Sequence, residues 1–179
     1  MAGAPHDYLQ HKLFSFQGRL RRRDWWILSI ACNLLNGVLT VLVVGAVTPP
    51  DADVEPWVNA TQQPQGGFPL VAAIAIDALF LWPWLALTIK RRHDRGSPGW
   101  DAAGLVVLLT AVSWAPAAWT NAFFGMLGLG GLLVALGVLV AVIWMLVVLG
   151  FLDGQPGMNR YGLSPKAAAA QPTVAEEFN

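Results

Sequence analysis

The sequence predicts an all-α membrane protein: a bundle of four transmembrane helices with a short N-terminal helix lying in the interface. Two observations predict it. Apolar residues fill 55% of the 179 positions and charged residues only 12%, and the mean hydropathy of +0.51 lies outside the usual range of soluble domains. All eleven Lys and Arg residues also fall into three clusters, each against a long uncharged apolar stretch. These are Lys12, Arg19, Arg21, Arg22 and Arg23; then Lys90, Arg91, Arg92 and Arg95; then Arg160 and Lys166.

Taken in order, Tyr8, Leu9, Leu13, Phe16 and Leu20 recur at helical spacing among polar residues, which suits a short interfacial helix. Four stretches then reach the roughly 20 apolar residues needed to cross ~30 Å of hydrocarbon, where a helix satisfies every backbone group without water. The first spans about 25–47, with Asp24 as its N-cap and Thr48, Pro49 and Pro50 closing it. The preceding basic run resembles the start of a signal peptide, but the apolar stretch is too long and three more follow, so it reads as a retained anchor. The second spans about 68–89. The third spans about 98–124, with Ser97 as cap and Pro98 in the first helical position. The fourth spans about 127–152. Between these last two, both Trp119 to Ala122 and the glycines Gly125 to Gly131 permit the turn. From residue 167 to 179 four alanines, then Gln171 and Pro172, have nothing to bury and predict a disordered tail.

Cytoplasmic loops of membrane proteins hold Lys and Arg, so the three basic clusters belong on one side. Four spans do put the N-terminus, the loop after the second span and the C-terminus on the same side. The loop from Thr48 to Gly67 has no basic residue and carries Asp51, Asp53 and Glu55, which places it outside. Net charge is zero, giving no field to recruit nucleic acid. Cys32 is the single cysteine, so no internal disulfide or C-x-x-C metal pair exists, and it reads as a small buried apolar residue. No phosphate loop, nucleophile elbow or H-E-x-x-H motif occurs, and the sequence predicts neither an enzyme nor a cofactor.

Asp77 is the sharpest single candidate, ten residues into the second span with no basic residue in any span to pair with it. It is expected to be protonated or hydrogen-bonded to another helix, with Asn33, Asn36, Thr40, Thr110 and Ser113 as candidate partners. A proton or ion site is one reading. A polar clamp between helices is the favoured one, because a lone acid makes a poor relay. His93 beside Asp94 suggests an oriented base, but neighbouring residues on a helix do not face each other, and no second His or Cys lies near. The basic clusters beside Trp25, Trp26 and Trp100 read as interfacial anchors touching anionic lipid headgroups.

Three blocks resemble the DUF805 family of small bacterial inner-membrane proteins. Phe16 to Trp26 is similar to the family's F-x-G-R-x-x-R-x-E/D-Y/W-W pattern. Arg91-Arg92-His93-Asp94-Arg95-Gly96, continuing to Gly99-Trp100, resembles R-R-L-H-D-x-G-x-S-G-W, with Arg92 in place of leucine, Ser97-Pro98 for x-Ser and Asp101 where a second aromatic is common. Gly154 to Pro165, containing Gly157-Met158-Asn159-Arg160-Tyr161-Gly162, is similar to G-x-N-R-Y/F-G-x-D/S-P. The resemblance implies one membrane domain over residues 1–166, in the bacterial cytoplasmic membrane with both termini cytoplasmic, and implies no reaction. Because the charge argument puts the three blocks on one side, they are expected to meet. Arg19, Arg22, Asp24, Arg91, His93, Asp94, Asn159 and Arg160 would form a polar cluster in which Asp94, and Asp24 with it, pairs with arginines. The favoured function is a structural or interaction module whose surplus positive charge meets anionic lipid, a protein partner or a second copy. The alternative is a small transporter or channel subunit using Asp77.

Overall fold

The computed structural model of the chain describes residues 5–47, 67–115, 122–123 and 125–168. An apolar run satisfies its backbone within itself by forming a helix, and most of this chain does so. Helix α1 covers Pro5–Phe14, α2 Arg22–Val47, α3 Gly67–His93, α4 Trp100–Ser113 and α5 Leu129–Leu146, the last continuing into a π turn, Val147–Phe151. A small antiparallel ribbon follows, β1 (Met158–Asn159) against β2 (Gly162–Leu163), with Met158 opposite Leu163, and α6 (Pro165–Ala168) comes last. Among the described residues, three helices, α2, α3 and α5 with its π turn, are long and apolar enough to cross a membrane, which marks a multi-pass membrane protein.

Several boundaries differ from the sequence expectation for local reasons. Lys90, Arg91, Arg92 and His93 form the last turn of α3, where cations suit the negative end of the helix. α2 starts at Arg22, which puts Asp24 inside the first turn rather than at the cap. The third expected span, 98–124, is represented by an α4 of 14 residues. That helix begins after Gly99, whose φ of 81° favours glycine, and not behind Ser97 with Pro98 as its first residue. It stops just short of Ala115, which precedes Pro116, a position that disfavours helical backbone. α1 ends at Phe14, so Phe16 and Leu20 lie in the non-helical lead into α2. Ala167 and Ala168, expected in the tail, belong to α6. Residues 1–4, the loop 48–66 expected outside, residues 116–121 and 124, and the tail beyond 168 lie outside the described residues.

α2 packs along α3, α3 along α4, and α1 lies against α3. The shared core contains Trp25 and Cys32 from α2, Phe80 and Leu87 from α3, Ala102 from α4, and Leu20, Met145 and Leu149. α5 meets α2 and α3 chiefly through its π turn, and most of its apolar side chains are exposed. The tightest approach is at Gly150, where a Cβ would lie 2.6 Å from Trp26 Cζ2 and 3.3 Å from Trp25 Cζ3. Gly150→Ala should therefore destabilise the protein by about 1–3 kcal/mol. Gly137→Ala, whose added methyl meets nothing within 4 Å, should stay within about 0.5 kcal/mol of wild type. Thermal unfolding of the two purified variants in detergent, followed by circular dichroism, checks this; equal midpoints would mean that α5 does not dock on the tryptophans.

Candidate functional site

One end of the bundle is polar, and three segments meet there: the lead into α2, the last turn of α3 with its exit loop, and the chain from the π turn to α6. α3 stops at His93 and the backbone turns, with Asp94 N donating to Lys90 O at 3.0 Å. This sets the Asp94 carboxylate one turn beyond Arg91, whose Nη1 donates to Asp94 Oδ2 at 2.5 Å. Arg19, from the lead into α2, donates through Nε to Asp94 Oδ1 at 3.0 Å. The side chains of Arg19, Asp94 and Arg91 are 1%, 7% and 0% exposed, so the carboxylate sits between two guanidiniums with almost no water.

The remaining guanidinium donors are taken up by backbone. Arg19 Nη1 donates to Gly157 O at 2.8 Å and Gly162 O at 3.2 Å, and its Nη2 to Asp94 O and Gln155 O. Gln155 N in turn donates to Asp94 O at 2.8 Å. Gly154 lies flat against the carboxylate, and a Cβ there would overlap Asp94 Oδ2.

The last carbonyls of a helix have no partners within it. Here the other helices supply them. Arg91 Nε donates to Leu149 O at 2.7 Å and its Nη2 to Leu152 O; Trp26 Nε1 donates to Gly150 O at 3.0 Å and Arg22 Nη1 to Phe151 O at 2.9 Å. Two of these three donor side chains are cationic, and they meet the negative end of α5.

Around this hub, His93 stacks on Tyr161 with ring centroids 3.7 Å apart and planes 5° from parallel, and its Nδ1 lies 3.2 Å from Gly18 O. The Arg160 guanidinium lies 4.8 Å from the Tyr161 ring centroid and donates to Gly96 O at 3.0 Å. Asn159 Nδ2 donates to His93 O at 3.0 Å, while its Oδ1 accepts from Tyr161 N at 2.9 Å. Arg19, Arg91, His93, Asp94, Asn159 and Arg160 are therefore gathered in one place. Arg22 stands at the edge, 3.8 Å from Asp153 Oδ1. Asp24 is elsewhere: it pairs with Lys12, not with an arginine of the cluster. Asp153, exposed beside the hub, has its carboxyl held below the usual range by a hydrogen bond from Lys166 and by the charges of Lys166 and Arg22.

Sequence reasoning missed Lys90, Gly154, Gln155 and Tyr161. Lys90 is enclosed, and its Nζ donates to His11 O at 2.5 Å and Lys12 O at 2.8 Å, fastening the end of α1 to α3. A basic run at a membrane boundary carries no mark of which members turn inward. Gly154 and Tyr161 belong to the third block and could have been found there, while Gln155 acts mainly through backbone atoms that any residue would supply. Among the described residues, no group of three His, Cys, Asp or Glu is placed to hold a metal ion.

Asp77 lies about 24 Å along α3 from His93 at 1.5 Å per residue. Its Oδ1 accepts from Asn36 Nδ2 at 3.1 Å and its Oδ2 from Trp114 Nε1 at 3.2 Å. Asn36 was among the expected partners and Trp114 was not. Asn33 and Thr110 donate to carbonyls of their own helices, Ser29 O and Val106 O. Asn33, Asn36, Asp77, Thr110 and Ser113 share a cavity of about 260 Å³.

The family model described as protein of unknown function (DUF805) matches residues 13–163. The chain belongs to the DUF805 family. It is similar to the uncharacterized protein YiiR of Escherichia coli strain K12, 34% identical over 158 residues that cover 86% of this chain and 88% of that protein, and equally to YiiR of Escherichia coli O157:H7. No solved structure matches. The DUF805 range runs from just before Arg19 to just past Gly162, so it contains every residue of the hub.

Removing the Asp94 carboxylate from this DUF805 hub leaves two enclosed guanidiniums without their shared partner. Asp94→Ala should cost about 3–5 kcal/mol, read as a collapse of folded yield in membranes and of the thermal midpoint in detergent; an unchanged midpoint would show that the hub does not hold the segments together. At the other site, Asp77→Ala should cost about 1–3 kcal/mol by stranding Asn36 and Trp114. Asp77→Asn, which keeps an acceptor oxygen, should recover part of that loss in the same melting assay.

Proposed function

We propose that the protein is a structural and interaction module of the bacterial cytoplasmic membrane, with four spans, both termini in the cytoplasm, and a basic cytoplasmic rim that contacts anionic lipid headgroups. The observation that carries this reading is the division of the cations at the polar end. Arg19, Lys90 and Arg91 turn inward and hold segments together, while Arg22, Arg23, Arg160 and Lys166 are exposed, against Asp101 and Asp153 as exposed acids. An exposed Lys or Arg near an anionic leaflet gains about 1 kcal/mol. All three basic clusters lie at one end, which supports a single cytoplasmic face by the positive-inside rule. The remaining span is assigned to α4, an apolar helix of 14 residues, and the similarity to an Escherichia coli protein supports the bacterial setting. The same rim would accept an acidic protein partner or a second copy.

The protein extracted in mild detergent should retain phosphatidylglycerol several-fold over phosphatidylcholine, with the preference fading as salt rises. Lipid analysis of the purified sample checks this, and equal retention would sink the lipid reading. For the topology, green fluorescent protein fused after residue 179 should fluoresce and alkaline phosphatase there should be inactive; the reverse pattern would put the C-terminus outside and overturn the proposed topology.

A second reading, a small transporter or channel subunit, is favoured by one observation: the Asp77 carboxylate borders a cavity of mixed polar and apolar lining and accepts from two neutral donors. Proton or cation flux into proteoliposomes that Asp77→Asn abolishes without unfolding the protein would establish it.

A further inference from the structure

Between the start of α2 and the segment from Asp153 to Lys166 the surface closes into a cavity of about 230 Å³. Arg21, Arg22, Arg23 and Lys166 line it together with Asp153, and the Arg91–Asp94 pair lies behind them. Charge in this cavity is unbalanced. Arg91 and Asp94 answer each other, and Asp153 is divided between Lys166 at 3.4 Å and Arg22 at 3.8 Å. Four cations thus face one remaining acid. Their donors are not used up either, since a guanidinium carries five N–H groups and an ammonium three. Arg21 gives one Nη to Pro165 O and Arg22 one Nη to Phe151 O, and Arg23 is exposed without a hydrogen bond or ion pair among the described residues.

We infer that this cavity binds a terminal phosphate dianion, the group presented both by the phosphomonoester headgroup of phosphatidate and by free phosphate. Cations converging on a concave site select an anion that presents several oxygens and more than one charge, which a monoester does and a diester does not. The site also lies at the depth of a lipid headgroup, because Arg21 to Arg23 directly precede Trp25 and Trp26, residue types that favour the membrane–water interface. The inference rests on the reading of the exposed cations as lipid contacts and narrows it to one site and one headgroup chemistry.

The test uses the full-length protein and two variants that each remove one positive charge: Arg23→Gln inside the cavity and Arg95→Gln on the same end outside it. Native mass spectrometry from phosphatidylcholine nanodiscs doped with phosphatidate, or in parallel with phosphatidylglycerol, reads lipid retention. A tryptophan-fluorescence titration with inorganic phosphate reads the soluble source. Phosphatidate should be retained over phosphatidylglycerol, Arg23→Gln should weaken that retention by at least about fivefold, and Arg95→Gln should weaken it less than twofold, with both thermal midpoints unchanged. Saturable phosphate binding that Arg23→Gln weakens, without lipid retention, supports the site and assigns it a soluble ligand. Equal losses in the two variants, or no preference for phosphatidate together with no phosphate binding, overturn the site while the general attraction of the rim for anionic lipid stands. If neither anionic lipid exceeds phosphatidylcholine, the broader lipid reading fails as well. Should Arg23→Gln lower the midpoint, Lys166→Gln is the replacement arm with the same expected loss.

Discussion

A carboxylate taken almost wholly out of water must be met on every open side by positive charge or hydrogen-bond donors, and in this chain that carboxylate is Asp94. Arg91 meets it from the last turn of α3, and Arg19 from the lead into α2. Each guanidinium has donors to spare, which draw in the carbonyls of Leu149, Leu152, Gln155, Gly157 and Gly162. Enclosing one acid therefore fixes the relative positions of three stretches that are distant in sequence. Ion pairs of this kind add little net stability over a well-packed apolar alternative, so their value lies in specifying which segments meet.

α5 depends on this polar end more than on the other apolar helices. α5 shares little contact with α2 and α3 along its length, yet its final carbonyls are engaged by Arg91, Trp26 and Arg22. In lipid there is no hydrophobic force to press apolar helices together, so close packing and hydrogen bonds must do it. Gly150 against Trp26 supplies the packing and the π turn supplies the carbonyls. Lys90 does for α1 what Arg91 does for α5, holding a helix C-terminus by its free carbonyls.

Helix class, the approximate positions of the long apolar segments and the blocks that carry the polar end were legible in the sequence, because hydropathy and charge clustering are written residue by residue. The direction of each cation was not. Lys90 and Arg92 are two residues apart in one basic run, yet Lys90 reaches inward to α1 while Arg92 pairs with Asp101 and lies over the ring of Trp144. Only tertiary packing decides that. Asp24 looked like a cap and partner of arginines, but the extra turn at the start of α2 hands it to Lys12. Asp77 was legible as a lone intramembrane acid; its bond to Trp114 was not, because the sequence does not say which helix an indole N–H faces.

The distance in sequence across the hub also bears on how the protein is made. Arg19 and Gly162 are 143 residues apart, and Arg91 and Leu149 are 58 apart. Because synthesis runs from the N-terminus, Arg19, Arg91 and Asp94 are made before the carbonyls of Leu149 to Gly162 that most of the guanidinium donors engage. Closure of the polar end waits for the last segment, and contacts of such long range form slowly. Until then Arg19 and Arg91 can be hydrated or held by lipid phosphate. The Arg19–Gly162 bond therefore cannot form until the chain has been made through residue 162.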